Sequence, residues 1–205
     1  MLTFFYAANT CALASQLALE FAGAEYRGVR LNFAENQQRS PEYLQVNPKG
    51  RVPALETDRG VLTETPALLL YIAQTWPQAG LAPLEDAFLL AKMNEFNSYL
   101  CSTVHVNHAH KSRSLRWSDD PDAWDSMRKK APQNMADCFT LIENGMLQGP
   151  WVLGERFSTS DLYLFTIARW LSGHAIDVGE FPKVAALVHR LEQQPQVQKV
   201  LALHA

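Results

Sequence analysis

Several places along the chain carry residue types whose spacing could do chemistry. Cys11 follows a strand-like run and falls in the first turn of a helix pattern. Free N–H groups and the helix dipole at such a place favour thiolate over thiol. The alternative is a small buried hydrophobe near a helix end. Val52-Pro53 puts a proline at the start of an inner strand, where it cannot donate to a ladder. One reading is a cis bond with the Val52 backbone open to an extended peptide added as a strand; the other is a trans proline at a strand start. Glu64-Thr65 stands just before Pro66 at a helix start. It reads as an ordinary N-cap with an acidic neighbour, or as a site for an amino-acid head. In the second case the helix start and the Thr65 hydroxyl hold a carboxylate and Glu64 holds an ammonium.

Two further groups read more simply. Ser158-Thr159-Ser160-Asp161 is a capping box, a structural anchor for a helix ending near Trp170. His105, His108 and His110 invite a metal reading, but only positions 105 and 108 share a helix face. No acidic ligand stands near them in sequence, so the expectation is one histidine lining a cleft, the others at the surface, and no metal site. Gly149-Pro150-Trp151 and Gly154 have the wrong spacing for a phosphate loop.

The elements that must position these residues follow from pattern. Residues 2–6 and 26–33 read as strands, with a helix between them that Thr10 can cap and Gly23 can end. Ser40-Pro41 opens a short helix that stops before Asn47-Pro48-Lys49-Gly50. Residues 52–56 and 61–63 read as a hairpin around Asp58-Arg59-Gly60, and Thr65-Pro66 starts a helix that ends at Trp76-Pro77. A helix between the first two strands implies a right-handed parallel crossover. The order is that of an α/β thioredoxin-like N-terminal domain, residues 1–78. After a linker with Pro77, Gly80 and Pro83, helical patterns cover roughly 86–110, 122–147, 158–174 and 182–203, the last broken at Pro195. That predicts an all-α helical bundle over residues 85–205.

Bulk properties bound the function. Hydrophobic content is 47%, charged content 19% and net charge −3, a globular composition with no reason to expect nucleic acid or an anionic membrane as partner. The longest apolar runs, such as residues 67–73, are too short to span a bilayer. The beginning of the chain has no secretory signal pattern. Cys11, Cys101 and Cys138 are odd in number, widely spaced and without a Cys-x-x-Cys, which points to a reducing, cytoplasmic compartment.

Together these segments resemble the cytosolic glutathione transferase family, most of all its bacterial beta class, over essentially the whole chain. Cys11-Ala12-Leu13 after a strand resembles that class's cysteine-bearing first turn. Asn47-Pro48-Lys49-Gly50-Arg51-Val52-Pro53-Ala54-Leu55 is a close match to its cis-proline segment. Leu62-Thr63-Glu64-Thr65 with Ala67 resembles its γ-glutamyl site, and residues 154–165, including Leu162-Tyr163-Leu164-Phe165, resemble its capping-box helix.

The resemblance implies an enzyme that conjugates the glutathione thiolate to small hydrophobic electrophiles. Glutathione is the co-substrate, with no tightly bound cofactor and no metal. Cys11 then contacts the glutathione sulfur, and the Val52 backbone pairs with the cysteinyl main chain beside Arg51 and a cis Pro53. Glu64 and Thr65 hold the γ-glutamyl head, and Ser102 and His105 close the cleft. Ala8, Asn9, His105, His108 and Trp170 line the electrophile site. Asn9, His105 and Cys11 are the candidates for hydrogen bonds to the sulfur, with Tyr6 as the alternative, since many relatives use a tyrosine from the first strand. A homodimer with the cleft near its interface and a role in detoxification are also implied. The sequence departs from the class at Val106, where lysine is common and for which Lys111 or Arg113 is the candidate substitute, at Ala12, where serine is common, and at Tyr6-Ala7-Ala8-Asn9. Monothiol thiol–disulfide exchange through Cys11 and non-catalytic ligand binding are the alternative functions.

Overall fold

Strand β1, Leu2–Tyr6, forms the middle of a small mixed sheet. The computed structural model describes residues 1–204. β1 pairs in parallel with β2, Tyr26–Arg30, from Leu2 opposite Tyr26 to Tyr6 opposite Arg30. On its other side it pairs antiparallel with β3, Ala54–Thr57, which pairs antiparallel with β4, Gly60–Thr63. The sheet order is β2-β1-β3-β4, so the expected crossover and hairpin are both present.

Helix α1, Ala12–Phe21, makes the crossover. It begins one residue later than a Thr10 cap implies. Cys11 is the N-cap residue and makes no side-chain cap bond, while the Thr10 hydroxyl donates to the Ala7 carbonyl at 2.7 Å. The helix ends as expected at Gly23, with the Ala24 N–H reaching back to the Leu19 carbonyl at 3.0 Å. β2 stops at Arg30, short of the expected 33, because the Asn32 side chain accepts the Ala34 N–H at 3.0 Å and turns the chain. β3 starts at Ala54, two residues past the expected Val52, since Pro53 has no N–H for the ladder.

Helices α2, Pro41–Val46, and α3, Thr65–Thr75, complete this half. Ser40 caps α2 by accepting the Tyr43 N–H at 3.2 Å. The other half is helical: α4, Ala87–Tyr99; α5, His105–Ser112; α6, Pro121–Leu141; α7, Thr159–Ala168; α8, Pro182–Glu192; and α9, Pro195–His204. The expected break at Pro195 separates α8 from α9. One π-helical turn, Leu100–Val104, joins α4 to α5, and π turns of this kind recur at functional sites.

α1 packs against α3 in its own half and against α7 and α9 of the helical half, so the two halves share a core. Leu17, Leu68, Ile72, Met93, Phe139 and Tyr163 are fully buried in it. The capping box is closed: the Asp161 carboxylate accepts the Ser158 N–H at 2.7 Å, and the Ser158 hydroxyl accepts the Ser160 N–H at 3.2 Å. Asp161 also accepts the Val152 N–H at 2.7 Å, tying the preceding loop to α7. Among the described residues no helix is long and apolar enough to cross a membrane.

Candidate functional site

The loops at one end of the sheet face α5 across a cleft with two adjoining hollows. Cys11, Arg51, Val52, His105, Ala109 and Arg116 line both. The larger, of about 220 Å³, adds Asn9, Arg39, His108, Arg113 and Trp170. The smaller, of about 150 Å³, adds Pro53, Glu64, Thr65, Cys101 and Tyr163.

Local bonds set the wall nearest the sheet. The Val52-Pro53 bond is cis. The segment before it is held by its carbonyl: Arg51 O accepts from the Tyr43 hydroxyl at 2.7 Å and from Asn47 Nδ2 at 2.6 Å. Gly50 has φ +58, and a Cβ there would lie 2.8 Å from Arg39 Nη1 and 2.9 Å from the Gln38 carbonyl. Only glycine lets that turn close against Arg39. At the start of α3, Glu64 sits at φ 73 and makes no side-chain cap bond. Its carboxylate pairs instead with Lys49, which also donates to Thr63 Oγ1 at 2.6 Å.

Cys11 lies at the bottom of the cleft, 8% exposed, with Sγ 3.8 Å from the Val52 carbonyl. Burial pushes its thiol up to about 11; the Thr65 hydroxyl and the Arg113 charge pull it down and are outweighed. Burial therefore favours the packed, protonated thiol over the helix-dipole thiolate, the two readings the sequence left open. The dipole effect is of order 1 kcal/mol, and desolvation of a buried sulfur exceeds it.

The facing wall comes from α5 and the turns around it. The His105 ring lies 4.9 Å from the Trp170 ring. Burial, then the charges of Arg113, Arg51 and Arg116, lower it to about 4, so the imidazole is neutral at pH 7. His108 stacks on Trp170 at 4.4 Å, and its Nδ1 lies 2.9 Å from His174 Nε2. Burial is again the first cause of its fall to about 3, with His174 and His105 next. Lys111 donates to the Gly173 carbonyl, so α5 is fastened to the turn that carries His174.

Of the residues singled out in the sequence, Asn9, Cys11, Arg51, Val52, Pro53, Glu64, Thr65, His105, His108 and Trp170 meet around this cleft. Three do not line it. Tyr6 is 6% exposed, stacked beside Phe4 with its ring 5.0 Å from the His204 ring. Strand alternation puts it on the core face of β1 with Phe4. Ala8 lines a separate hollow with Asn32 and Phe33. Ser102 is exposed and donates to the Ser98 carbonyl at 2.8 Å, within its own helical run. His110 packs against Trp117 at 4.2 Å. No group of three or more His, Cys, Asp or Glu side chains among the described residues is arranged to hold a metal.

Sequence reasoning missed Arg39, Arg116, Cys101 and Tyr163 as cleft residues, and reached Arg113 only as a substitute for the lysine absent at Val106. The two arginines one turn apart after α5, with no acidic residue between positions 105 and 118, were a readable signal of unpaired charge. Cys101 and Tyr163 gave none, because their approach depends on how α7 packs on the π turn.

Comparison with known proteins agrees with this geometry. Residues 2–74 match the family description "Glutathione S-transferase, N-terminal domain", and residues 108–204 match "Glutathione S-transferase, C-terminal domain". The crystal structure of a glutathione transferase homolog from Sulfitobacter, with bound glutathione, is 41% identical. It covers 99% of this chain and 98% of its own, at a TM-score of 0.96. A bacterial beta class glutathione S-transferase from Sphingomonas chungbukensis is 29% identical, covers 99% of this chain and 98% of its own, and has a TM-score of 0.86. Glutathione S-transferase GstA of Escherichia coli O157:H7 is 27% identical over 97% of this chain and 96% of its own length.

Proposed function

The chain belongs to the glutathione S-transferase family, and from that premise we propose that its cleft binds glutathione and presents the sulfur, as thiolate, to an electrophile. The observation that carries this reading is the smaller hollow. It brings the Val52-Pro53 backbone, Glu64, Thr65 and the Cys11 sulfur to one place, which are the groups an extended γ-glutamyl tripeptide needs. The bound Sulfitobacter homolog supports it.

In this reading the α3 start and the Thr65 hydroxyl hold the γ-glutamyl carboxylate. Glu64 exchanges its Lys49 partner for the ammonium. The Val52 backbone, lying beyond the ladder that starts at Ala54, pairs with the cysteinyl main chain. A guest sulfur above Cys11, nearer the open side of the cleft, would feel the arginine charge with less of the burial that keeps Cys11 protonated. Cys11, as a neutral thiol, donates its S–H to that sulfur, and Asn9 and His105 are the further donors. The thiolate attacks an electrophilic carbon held beside His108 and Trp170. A C–S bond forms, and the leaving group departs with its electron pair. Fixed proximity supplies much of the rate.

The raised Cys11 pKa disfavours thiol–disulfide exchange, which needs a thiolate. A homodimer fits Phe88 of α4, 73% exposed, which a second copy would cover. A cytoplasmic place and a detoxification role complete the proposal. Cys11, Cys101 and Cys138 are all free, as a reducing compartment requires.

The test is calorimetric titration of the purified protein with reduced glutathione, followed by a conjugation assay with 1-chloro-2,4-dinitrobenzene. Saturable binding at one site per chain with turnover supports the reading. Binding without turnover leaves a ligand carrier, and no binding at millimolar glutathione removes the glutathione site altogether.

A further inference from the structure

Four arginine side chains face the larger hollow: Arg39, Arg51, Arg113 and Arg116. No Asp or Glu lines it. None of the four makes an ion pair among the described residues. Elsewhere three arginines are paired, Arg128 with Asp125, Arg156 with Glu85 and Arg169 with Glu192, while Arg27 and Arg190 bond to neutral oxygens. Arg39, Arg51 and Arg116 are exposed and Arg113 is half-buried, so the four guanidinium groups share one open groove without counter-charge, where they repel one another and can take an anion. Their crowding shows at Arg116. Burial, then Arg113, Arg51 and Arg39, lower it to about 10, so it is still charged at neutral pH.

Glutathione neutralises only part of this charge. Its γ-glutamyl carboxylate and ammonium offset each other at Thr65 and Glu64. What reaches the arginines is the glycyl carboxylate and the thiolate, two negative charges against four guanidiniums. Arg39 and Arg51 belong to the wall nearest the sheet, where the tripeptide lies. Arg113 and Arg116 follow α5 on the opposite wall; Arg113 lines only the hollow that holds Trp170 and Phe33, and Arg116, like Arg51, lines the smaller hollow as well.

Resting on the glutathione reading above, we infer that the second substrate is an electrophile carrying a carboxylate on a planar apolar body. Arg113 and Arg116 hold the carboxylate, and Trp170 and Phe33 receive the body. This narrows the plain hydrophobic electrophile implied by sequence resemblance.

The test compares two conjugates that share the same glutathione half, S-benzylglutathione and S-(4-carboxybenzyl)glutathione, by calorimetry. The protein should bind the carboxylated one about tenfold or more tightly, as a charge-assisted contact requires. Added salt should shrink that preference. Arg113→Gln and Arg116→Gln should each bring the ratio of affinities toward one. Equal affinities in the unaltered protein overturn the inference and leave the glutathione reading standing. Equal weakening of both conjugates and of glutathione itself in the variants also overturns it, by giving these arginines to the glycyl carboxylate. If neither conjugate binds, both the inference and the glutathione reading fall.

Discussion

Two helix starts in this chain use the same kinds of residue for opposite ends. At α7, Ser158 and Asp161 are fully buried and close on each other and on the Val152 N–H. At α3, Glu64 makes no cap bond, points its carboxylate into an open cleft and finds only a surface lysine. Local sequence describes both as a hydroxyl residue and an acid at a helix start. The difference is satisfaction. A polar group whose partners all lie within the fold is structural, whereas one held in a costly backbone conformation with its partner loosely attached is kept for a ligand.

The comparison is sharpened most by removing the sealed group. Asp161→Ala leaves the Val152 and Ser158 N–H groups buried without an acceptor. The expected loss is about 3–5 kcal/mol of stability, read from urea or thermal unfolding, with glutathione affinity of the folded protein little changed. The open group should behave the other way. Glu64→Gln should weaken glutathione by roughly 10- to 100-fold in calorimetry while the melting temperature moves little. A stability loss at Glu64 as large as that at Asp161 would break the distinction.

The same contrast governs what was legible in the sequence. The sheet-side wall was readable because it is local turn chemistry: Asn47 to Pro53 and Glu64 to Pro66 each do their work within a few residues. The crossover, the hairpin and the break at Pro195 were readable for the same reason. The helical wall was half readable. Helical spacing put His105 and His108 on one face and family resemblance set them with Trp170 in the cleft, but Arg116 acquires meaning only when packing sets it opposite Arg39 and Arg51. Burial is the property that local sequence hides best. It decided the sign of the Cys11 shift and put Tyr6 on the core face of β1.

The His108–His174 pair extends the comparison to a buried contact on the ligand-facing wall. Burial lowers His108 to about 3 and His174 to about 4. A histidine lowered in the folded state binds its proton first in the unfolded chain. Stability present above pH 6.5 is therefore lost as pH falls toward the folded values. Asp161, raised to about 7 by burial, contributes with the opposite sign in the same window, so the difference between variants is the useful quantity. From pH 7 to pH 5 the unaltered protein should lose ~1–2 kcal/mol more than His108→Gln. Identical pH slopes in urea unfolding would show that the pair is hydrated and not sealed.

The smallest effect expected is at Cys11, and it decides which side of the comparison this residue belongs to. Its thiol is buried like Asp161 but lies against the cleft like Glu64. As a neutral S–H donor it stabilises the guest thiolate by one weak hydrogen bond. Cys11→Ala should then lower kcat/KM by no more than about tenfold and raise the acid limb of the pH–rate profile by up to ~1 unit. Glutathione affinity should stay near its original value at low pH, where the guest sulfur is protonated and needs no donor. If the profile does not move and only the melting temperature falls, Cys11 is packing, and the sulfur is held by Asn9 and His105 alone. If activity is abolished, one weak donor is too small a cause, and Cys11 itself must carry covalent chemistry despite its raised pKa.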